Sequence, residues 1–152
     1  MAFSLFKRKP LFDDTQQKRI VDSIRLAEKC TSGEIRVYVE RHCRYVDPLD
    51  RAAEVFAALK MQNTTARNGV LVYVALIDRQ LAILGDRGIH QKVGQEFWNA
   101  RLRRILAHFN KADYAGGIAT IVTDIGQALE THFPFDRDTD TNELPDDIVF
   151  GR

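Results

Sequence analysis

The sequence predicts an α/β protein, arranged as a three-layer α/β/α sandwich with a small mixed β-sheet. Two stretches carry most of this prediction. Residues 70–76 form an unbroken apolar run rich in β-branched side chains, which is typical of a strand covered on both faces. Residues 34–40 alternate strictly between polar and apolar, which is typical of a strand with one solvent-exposed face near the edge of a sheet. Helical periodicity fills most of the remaining chain, so we expect helices on the sheet.

Length and composition indicate one globular domain. The chain has 152 residues, of which 45% are hydrophobic and 28% charged, and can bury about two thirds of its unfolded surface. Its net charge is only +1, so we expect no nucleic-acid partner.

Cys30 and Cys43 are too few for a disulfide framework and indicate reduced thiols in a cytoplasm. No stretch approaches the ~20 apolar residues of a membrane span, which predicts no transmembrane segment.

The sequence divides into a folded domain at residues 13–134 and two tails. Residues 1–12 are expected to be a flexible tail, because the basic run 7–9 follows too few apolar residues for a secretory signal. The alternative is a weak surface anchor made by Phe3, Leu5 and Phe6 beside those cations. Residues 135–152 contain six acidic residues and few apolar ones, which predicts an acidic, extended carboxy-terminal tail.

Cap signals mark the first helix. Asp13 or Asp14 can cap it, and Gln17, three residues after Asp14, offers a variant of the capping box. An apolar stripe continues to about residue 30. Gly33 follows, and we expect it to adopt the left-handed conformation that often closes a helix.

A second helix and a hairpin come next. Asp47 before Pro48 indicates a cap followed by the first helical residue. Because a helix connects the first two strands, these strands should be parallel through a right-handed crossover. A polar break at residues 77–80 and an apolar run at 81–84 add an antiparallel third strand. The predicted buried side of the second helix consists of Leu49, Ala52, Ala53, Phe56 and Leu59.

The chain after His90 is predicted to be helical. A polar break at residues 110–113 lets Asp113 cap a further helix, and Pro134 ends it. The predicted core contacts of this half are Val93, Phe97, Leu102, Ile105, Leu106, Tyr114, Ile118, Ile121, Ile125 and Leu129.

This topology gathers polar residues at one rim of the sheet, where the first two strands begin and the third returns. The residues concerned are Ser32, Glu34, Arg67, Asn68, Asp86, Arg87 and His90. Carboxylate and amide oxygens suit a hard divalent cation, so Glu34, Asn68 and Asp86 are predicted ligands for calcium or magnesium. Three such ligands fall short of the roughly 6–8 oxygens that calcium prefers, and binding should be weak. The alternative is that Asn68 makes a turn while Glu34 pairs with Arg87 in solvent.

Other chemistries have weaker support. Residues 85–88 match neither a dinucleotide-binding fingerprint nor a P-loop. Adjacent residues on a strand point to opposite faces, so His42 and Cys43 do not suggest one metal site. No catalytic set can be assembled from the spacing, and no organic cofactor is expected. The tail places Asp136, Asp138, Asp140, Asn142 and Asp147 at calcium-loop spacing, but Thr141 replaces the glycine that such a loop needs.

Several segments together resemble the TPM domain family over about residues 13–133. They are Thr-Ser-Gly-Glu-Ile-Arg-Val at 31–37, Arg-Asn-Gly-Val-Leu-Val-Tyr-Val-Ala at 67–75, Asp-Arg at 78–79, Ile-Leu-Gly-Asp-Arg-Gly-Ile at 83–89 and Tyr-Ala-Gly-Gly-Ile at 114–118. Residues 142–151 are also similar to the tail of soluble bacterial members. Many relatives carry an aspartate-containing segment ahead of the first helix, where this chain has a basic run ending at Pro10.

The resemblance implies an α/β/α sandwich and divalent-cation binding. It also implies an acid phosphatase activity for plant thylakoid members linked to photosystem repair, whereas other relatives are accessory proteins of membrane receptors. From this resemblance we expect a cytoplasmic interaction or accessory module with a membrane-associated protein partner and with weak calcium binding. The alternative is a metal-dependent, acid phosphatase-like phosphohydrolase whose catalytic residues cannot be named from the sequence.

Overall fold

The structure is a computed structural model that describes residues 10–136 and 144–151. The surface-anchor residues Phe3, Leu5 and Phe6, and most of the calcium-loop-like spacing in the tail, lie outside the described residues. The elements are α1 (Asp14–Glu28), β1 (Glu34–Glu40), α2 (Pro48–Ala58), β2 (Gly69–Ala75), β3 (Gln80–Gly85), α3 (Arg87–Val93), α4 (Gln95–Phe109), α5 (Tyr114–His132) and β4 (Ile148–Phe150).

The four strands form one mixed sheet in the order β3-β2-β1-β4. β1 and β2 are parallel, with Glu34 opposite Gly69 at one end and Glu40 opposite Ala75 at the other. β3 runs antiparallel to β2, as the hairpin pattern predicts. β2 is buried along its whole length, so the continuous apolar run does form an interior strand, as predicted.

The prediction that β1 has a wet face near the sheet edge is wrong. β4 pairs in parallel with β1 and takes the edge position. Glu34, Arg36 and Glu40 are only 2%, 7% and 4% exposed. Their alternation with apolar residues arises because the second face of the strand carries buried polar groups, which sequence periodicity cannot distinguish from solvated ones.

Helices cover both faces of the sheet and give it two cores. On one face, side chains from α1, α4 and α5 pack against the strands, among them Ile20, Trp98 and Ile125. On the other face, α2 packs through Ala52, Val55 and Phe56. Three predicted core residues are exposed instead: Leu106 is 42% and Leu49 39% exposed, and Ala53 lies on the solvent side of α2. The three-layer arrangement is nevertheless the predicted one.

Details at the helix ends differ from the sequence prediction. The capping box of α1 is formed by Asp13 and Gln16, one residue earlier than predicted. Gly33 does not adopt a positive φ; a Cβ there would lie 2.7 Å from the side chain of Leu129, so close packing explains this glycine. Gly94 does have a positive φ of 79° and separates α3 from α4, a break that the apolar periodicity hides.

Both predicted tails contribute to the fold. Phe12, assigned to the amino-terminal tail, is 2% exposed and belongs to the larger core. At the other end Leu144 is 6% exposed and packs in the α2-side core. The Gly151 N–H then donates to the Val39 carbonyl at 2.8 Å. The described carboxy-terminal residues therefore return to the sheet and add its edge strand.

Candidate functional site

The predicted rim exists where β1 and β2 begin and β3 ends, and it is called the strand-start rim below. The Glu34 N–H donates to the Asn68 carbonyl at 3.4 Å, and the Asp86 N–H donates to the Gly69 carbonyl at 2.8 Å. The three predicted ligands therefore lie at the ends of neighbouring, hydrogen-bonded strands. Their side chains, however, have different surroundings.

The Asp86 carboxylate is already bound by Arg67. Its two carboxylate oxygens accept from Arg67, with Nε–Oδ2 at 2.6 Å and Nη2–Oδ1 at 2.8 Å. Oδ1 also accepts the Arg87 N–H at 2.8 Å and thereby caps α3. The Asp86 carboxylate raises the pKa of the Arg67 guanidinium. Asp86 thus fastens the loop before β2 to the start of α3, and a cation there would have to displace Arg67.

Asn68 is 1% exposed and only partly satisfied. Its Nδ2 donates to Ser32 Oγ at 3.4 Å, while its Oδ1 is buried without a hydrogen-bond donor among the described residues. A buried amide oxygen without a hydrogen-bond donor is unusual in a folded protein.

Glu28, in the last turn of α1, is the rim residue that sequence reasoning missed. Its Oε2 accepts the Ile35 N–H at 2.7 Å, while Oε1 is buried without a donor among the described residues. Burial, a hydrogen bond with Asp146 and the charge of Glu34 raise the pKa of Glu28 to about 11. These surroundings favour the protonated form of the Glu28 carboxyl. Four-residue spacing continuing the apolar stripe of α1 was the signal that could have identified it.

The carboxy-terminal segment brings Asp146 to the rim. Asp146 lies just before β4 and approaches the Arg25 guanidinium at 3.9 Å, in addition to its contact with Glu28. Beside it, burial lowers the pKa of Arg36, an effect that the charges of Glu28 and Asp147 oppose. The rim thus combines several acidic groups from distant parts of the chain.

The remaining predicted rim residues do not join this acidic group. His90 accepts the Trp98 indole N–H at 2.9 Å and so supports the α3–α4 packing. Arg87 is exposed. Within residues 10–136 and 144–151, no group of three or more histidine, cysteine, aspartate or glutamate side chains is arranged to hold a metal ion. Besides Asp146, the oxygen donors that the described rim offers a cation are the Glu28 and Glu34 carboxyl groups and the Asn68 amide.

The opposite end of the sheet holds a polar cavity of 750 Å³. The Glu40 carboxylate accepts from Arg51 Nε at 2.9 Å and Nη2 at 3.1 Å, and also from the Tyr73 hydroxyl. These contacts raise the pKa of Arg51, and burial raises that of Tyr73. Because the buried carboxylate already has its partners, we interpret this network as structural. His42 at its margin contacts Asp78 at 2.9 Å.

Comparison with known proteins decides the family. The sequence model of the TPM domain matches residues 6–128, most of the chain. The chain belongs to the TPM domain family. The NMR structure of BA42 protein from the psychrophilic bacterium Bizionia argentinensis is 41% identical, with a TM-score of 0.86, covering 96% of this chain and 99% of that one. No match was found among curated proteins.

A second solved structure shares the fold of this TPM domain. The N-terminal domain of cg2496 protein from Corynebacterium glutamicum is 16% identical, with a TM-score of 0.57, covering 78% of this chain and 74% of that one. The fold and family predicted from the sequence are thus confirmed. No helix in the described part of this TPM domain has the length and apolarity needed to span a membrane.

Proposed function

We propose that this TPM domain binds a divalent cation, calcium in the first place, at the strand-start rim through Glu28, Glu34 and Asn68. The observation that carries the proposal is the Glu28 carboxyl group. It is buried against Asp146 and Glu34, and its Oε1 has no hydrogen-bond donor within the described chain. Glu28 replaces the Asp86 of the sequence prediction, because the Asp86 carboxylate is already bound by Arg67.

Electrostatics favour a cation at this position. Carboxyl groups that are buried close together resist ionisation, since each charge raises the energy of the next. A bound cation reverses that effect and stabilises the ionised forms. The buried Asn68 Oδ1 offers a neutral oxygen ligand of the kind that calcium accepts. Water or main-chain carbonyls would complete the shell, so we expect weak binding, with a Kd of about 10⁻⁴–10⁻³ M.

Calcium titration followed by calorimetry tests this proposal. Glu28→Gln keeps the shape and neutral charge of the protonated group, so the apo variant should fold normally. We expect calcium affinity to fall at least about tenfold in Glu28→Gln, a loss of about 1.4 kcal/mol. Glu130→Gln, at an exposed position on α5, is the matched control and should bind as the native chain does. Equal calcium affinity in Glu28→Gln and Glu130→Gln would show that the cation does not bind at Glu28.

The cation-loaded domain would act as an accessory module for a protein partner, as the family precedent suggests. A membrane-associated partner and a cytoplasmic location remain predictions. Affinity capture with native and Glu28→Gln bait, each with calcium or chelator, tests this role. We expect one partner retained by the native chain only with calcium; a partner set insensitive to both changes would contradict it.

Phosphohydrolase activity remains the alternative. It would need the rim cation to polarise a phosphoryl oxygen. Turnover of a generic aryl phosphate by the pure chain, abolished by chelator and by Glu28→Gln but unaffected in Glu130→Gln, would place this alternative first. Absence of turnover with calcium, magnesium or manganese would exclude it for this substrate class.

A further inference from the structure

A separate groove lies between α5 and the helices α3 and α4. Its volume is 420 Å³, within the range of roughly 300–1,000 Å³ that small-molecule sites occupy. One wall is apolar and includes Val93, Phe97 and Ala128, while Lys92 and Arg101 supply positive charge. A mixed lining of this kind accommodates a ligand with a charged head and an apolar body.

The positive charges of the groove are not neutralised by their surroundings. Lys92 and Arg101 form no ion pair within residues 10–136 and 144–151. Asp124 also lines the groove, but its carboxylate accepts Arg104 Nη1 at 2.6 Å and its side chain is only 12% exposed. An approaching anion would therefore meet two cations and a carboxylate that is already paired.

Arg101 is the most informative residue of this lining. Its guanidinium carbon lies 4.0 Å from the centroid of the Phe97 ring, so the group is held against an aromatic surface. Its Nε is buried and has no acceptor among the described residues. A buried, charged donor without an acceptor is costly. An oxyanion in the groove would compensate the guanidinium charge by binding its terminal nitrogens, in the two-point geometry that arginine favours.

We propose that this groove binds a small organic oxyanion, with its carboxylate or phosphate head on Arg101 and Lys92 and its apolar body against Phe97 and Val93. The proposal uses none of the cation ligands of the rim and does not depend on calcium binding. It assigns a ligand class to residues that the rim leaves without a role.

The site is tested by titrating the full-length protein, in a buffer that contains chelator, with benzoate and with phenyl phosphate. Changes in the backbone amide NMR chemical shifts report binding. We expect saturable shifts confined to α3, α4 and the end of α5, and the tighter of the two probes identifies the head group. Arg101→Gln should weaken binding at least about tenfold, since it removes the charge-assisted hydrogen bonds. Lys92→Gln, at an exposed position, should also weaken it.

Arg103→Gln is the matched control. Arg103 lies on the same helix, is 65% exposed and pairs with Glu96 at 2.7 Å outside the groove. Arg103→Gln removes the same charge as Arg101→Gln. We expect its affinity for the probes to stay within about twofold of the native value, because an exposed surface charge contributes little. Arg101→Lys should bind poorly if the planar edge of the guanidinium matters. Unsaturable shifts, or equal losses in Arg101→Gln and Arg103→Gln, would overturn the proposal.

Discussion

At the scale of single residues, Glu28 has the least ordinary environment. A carboxyl whose pKa is raised in the folded state, here to about 11, binds a proton that the unfolded chain releases above its ordinary pKa of about 4.3. The folded state then carries more protons than the unfolded state, and stability falls as pH rises above that value. Glutamine at this position cannot ionise and escapes the penalty.

We therefore expect Glu28→Gln to be more stable than the native chain in calcium-free buffer above about pH 5, with a difference that grows with pH by at most about 1.4 kcal/mol per unit. Urea unfolding of both proteins at pH 5, 7 and 9 measures this difference. Glu130→Gln should follow the native curve. A difference that stays constant across the three pH values would show that Glu28 is ionised in the fold.

Asp86 illustrates the opposite case, a buried carboxylate that is already compensated. We expect Asp86→Ala to lower the thermal midpoint by several degrees, because the cap of α3 alone contributes about 1 kcal/mol and Arg67 loses its partner. Calcium affinity should be retained in any fraction that folds. The control is Asp22→Ala, which removes an exposed i,i+4 pair with Lys18 and should have little effect. Loss of calcium binding with a preserved midpoint would restore Asp86 as a ligand.

At the scale of elements, β4 is the part of the fold that the sequence predicts least well. Its strand has only three residues, Ile148–Phe150, within an acidic, proline-containing segment that favours an extended tail. Its pairing with β1 joins segments that are far apart in the sequence, and local patterns carry no information about such a contact. By contrast, β1, α2 and the hairpin follow directly from alternation, a cap before Pro48 and a continuous apolar run.

The anchoring of this segment can be measured through Leu144. We expect Leu144→Ala to destabilise the protein by about 2–3 kcal/mol, since it empties a buried position in the α2-side core. Phe150→Ala, at a residue that is 42% exposed, should cost less than about 1 kcal/mol. Chemical unfolding followed by fluorescence or circular dichroism gives both values. Equal effects would mean that the segment is not held by Leu144.

At the scale of the whole molecule, the sequence predicted the layers, the central strand and the family, because hydrophobic periodicity and cap residues specify them. It also predicted that Glu34, Asn68 and Asp86 lie at one rim of the sheet, but not which side chains contact one another there. The sequence did not identify Arg67 as the partner of Asp86, which only the three-dimensional contacts show. The sequence pattern did not single out Glu28, which the fold buries beside Asp146, more than a hundred residues away in sequence.

The central claim is that the buried Glu28 proton is exchanged for a cation. Metal binding to a protonated ligand releases the proton, so calcium titrations at pH 7 in buffers of different ionisation enthalpy should reveal about one proton released per calcium bound. The carbon-13 shift of the Glu28 carboxyl should change from its protonated to its ionised value over the same titration. Calcium binding without proton release, or a Glu28 carboxyl already ionised in chelator at pH 7, would contradict the account.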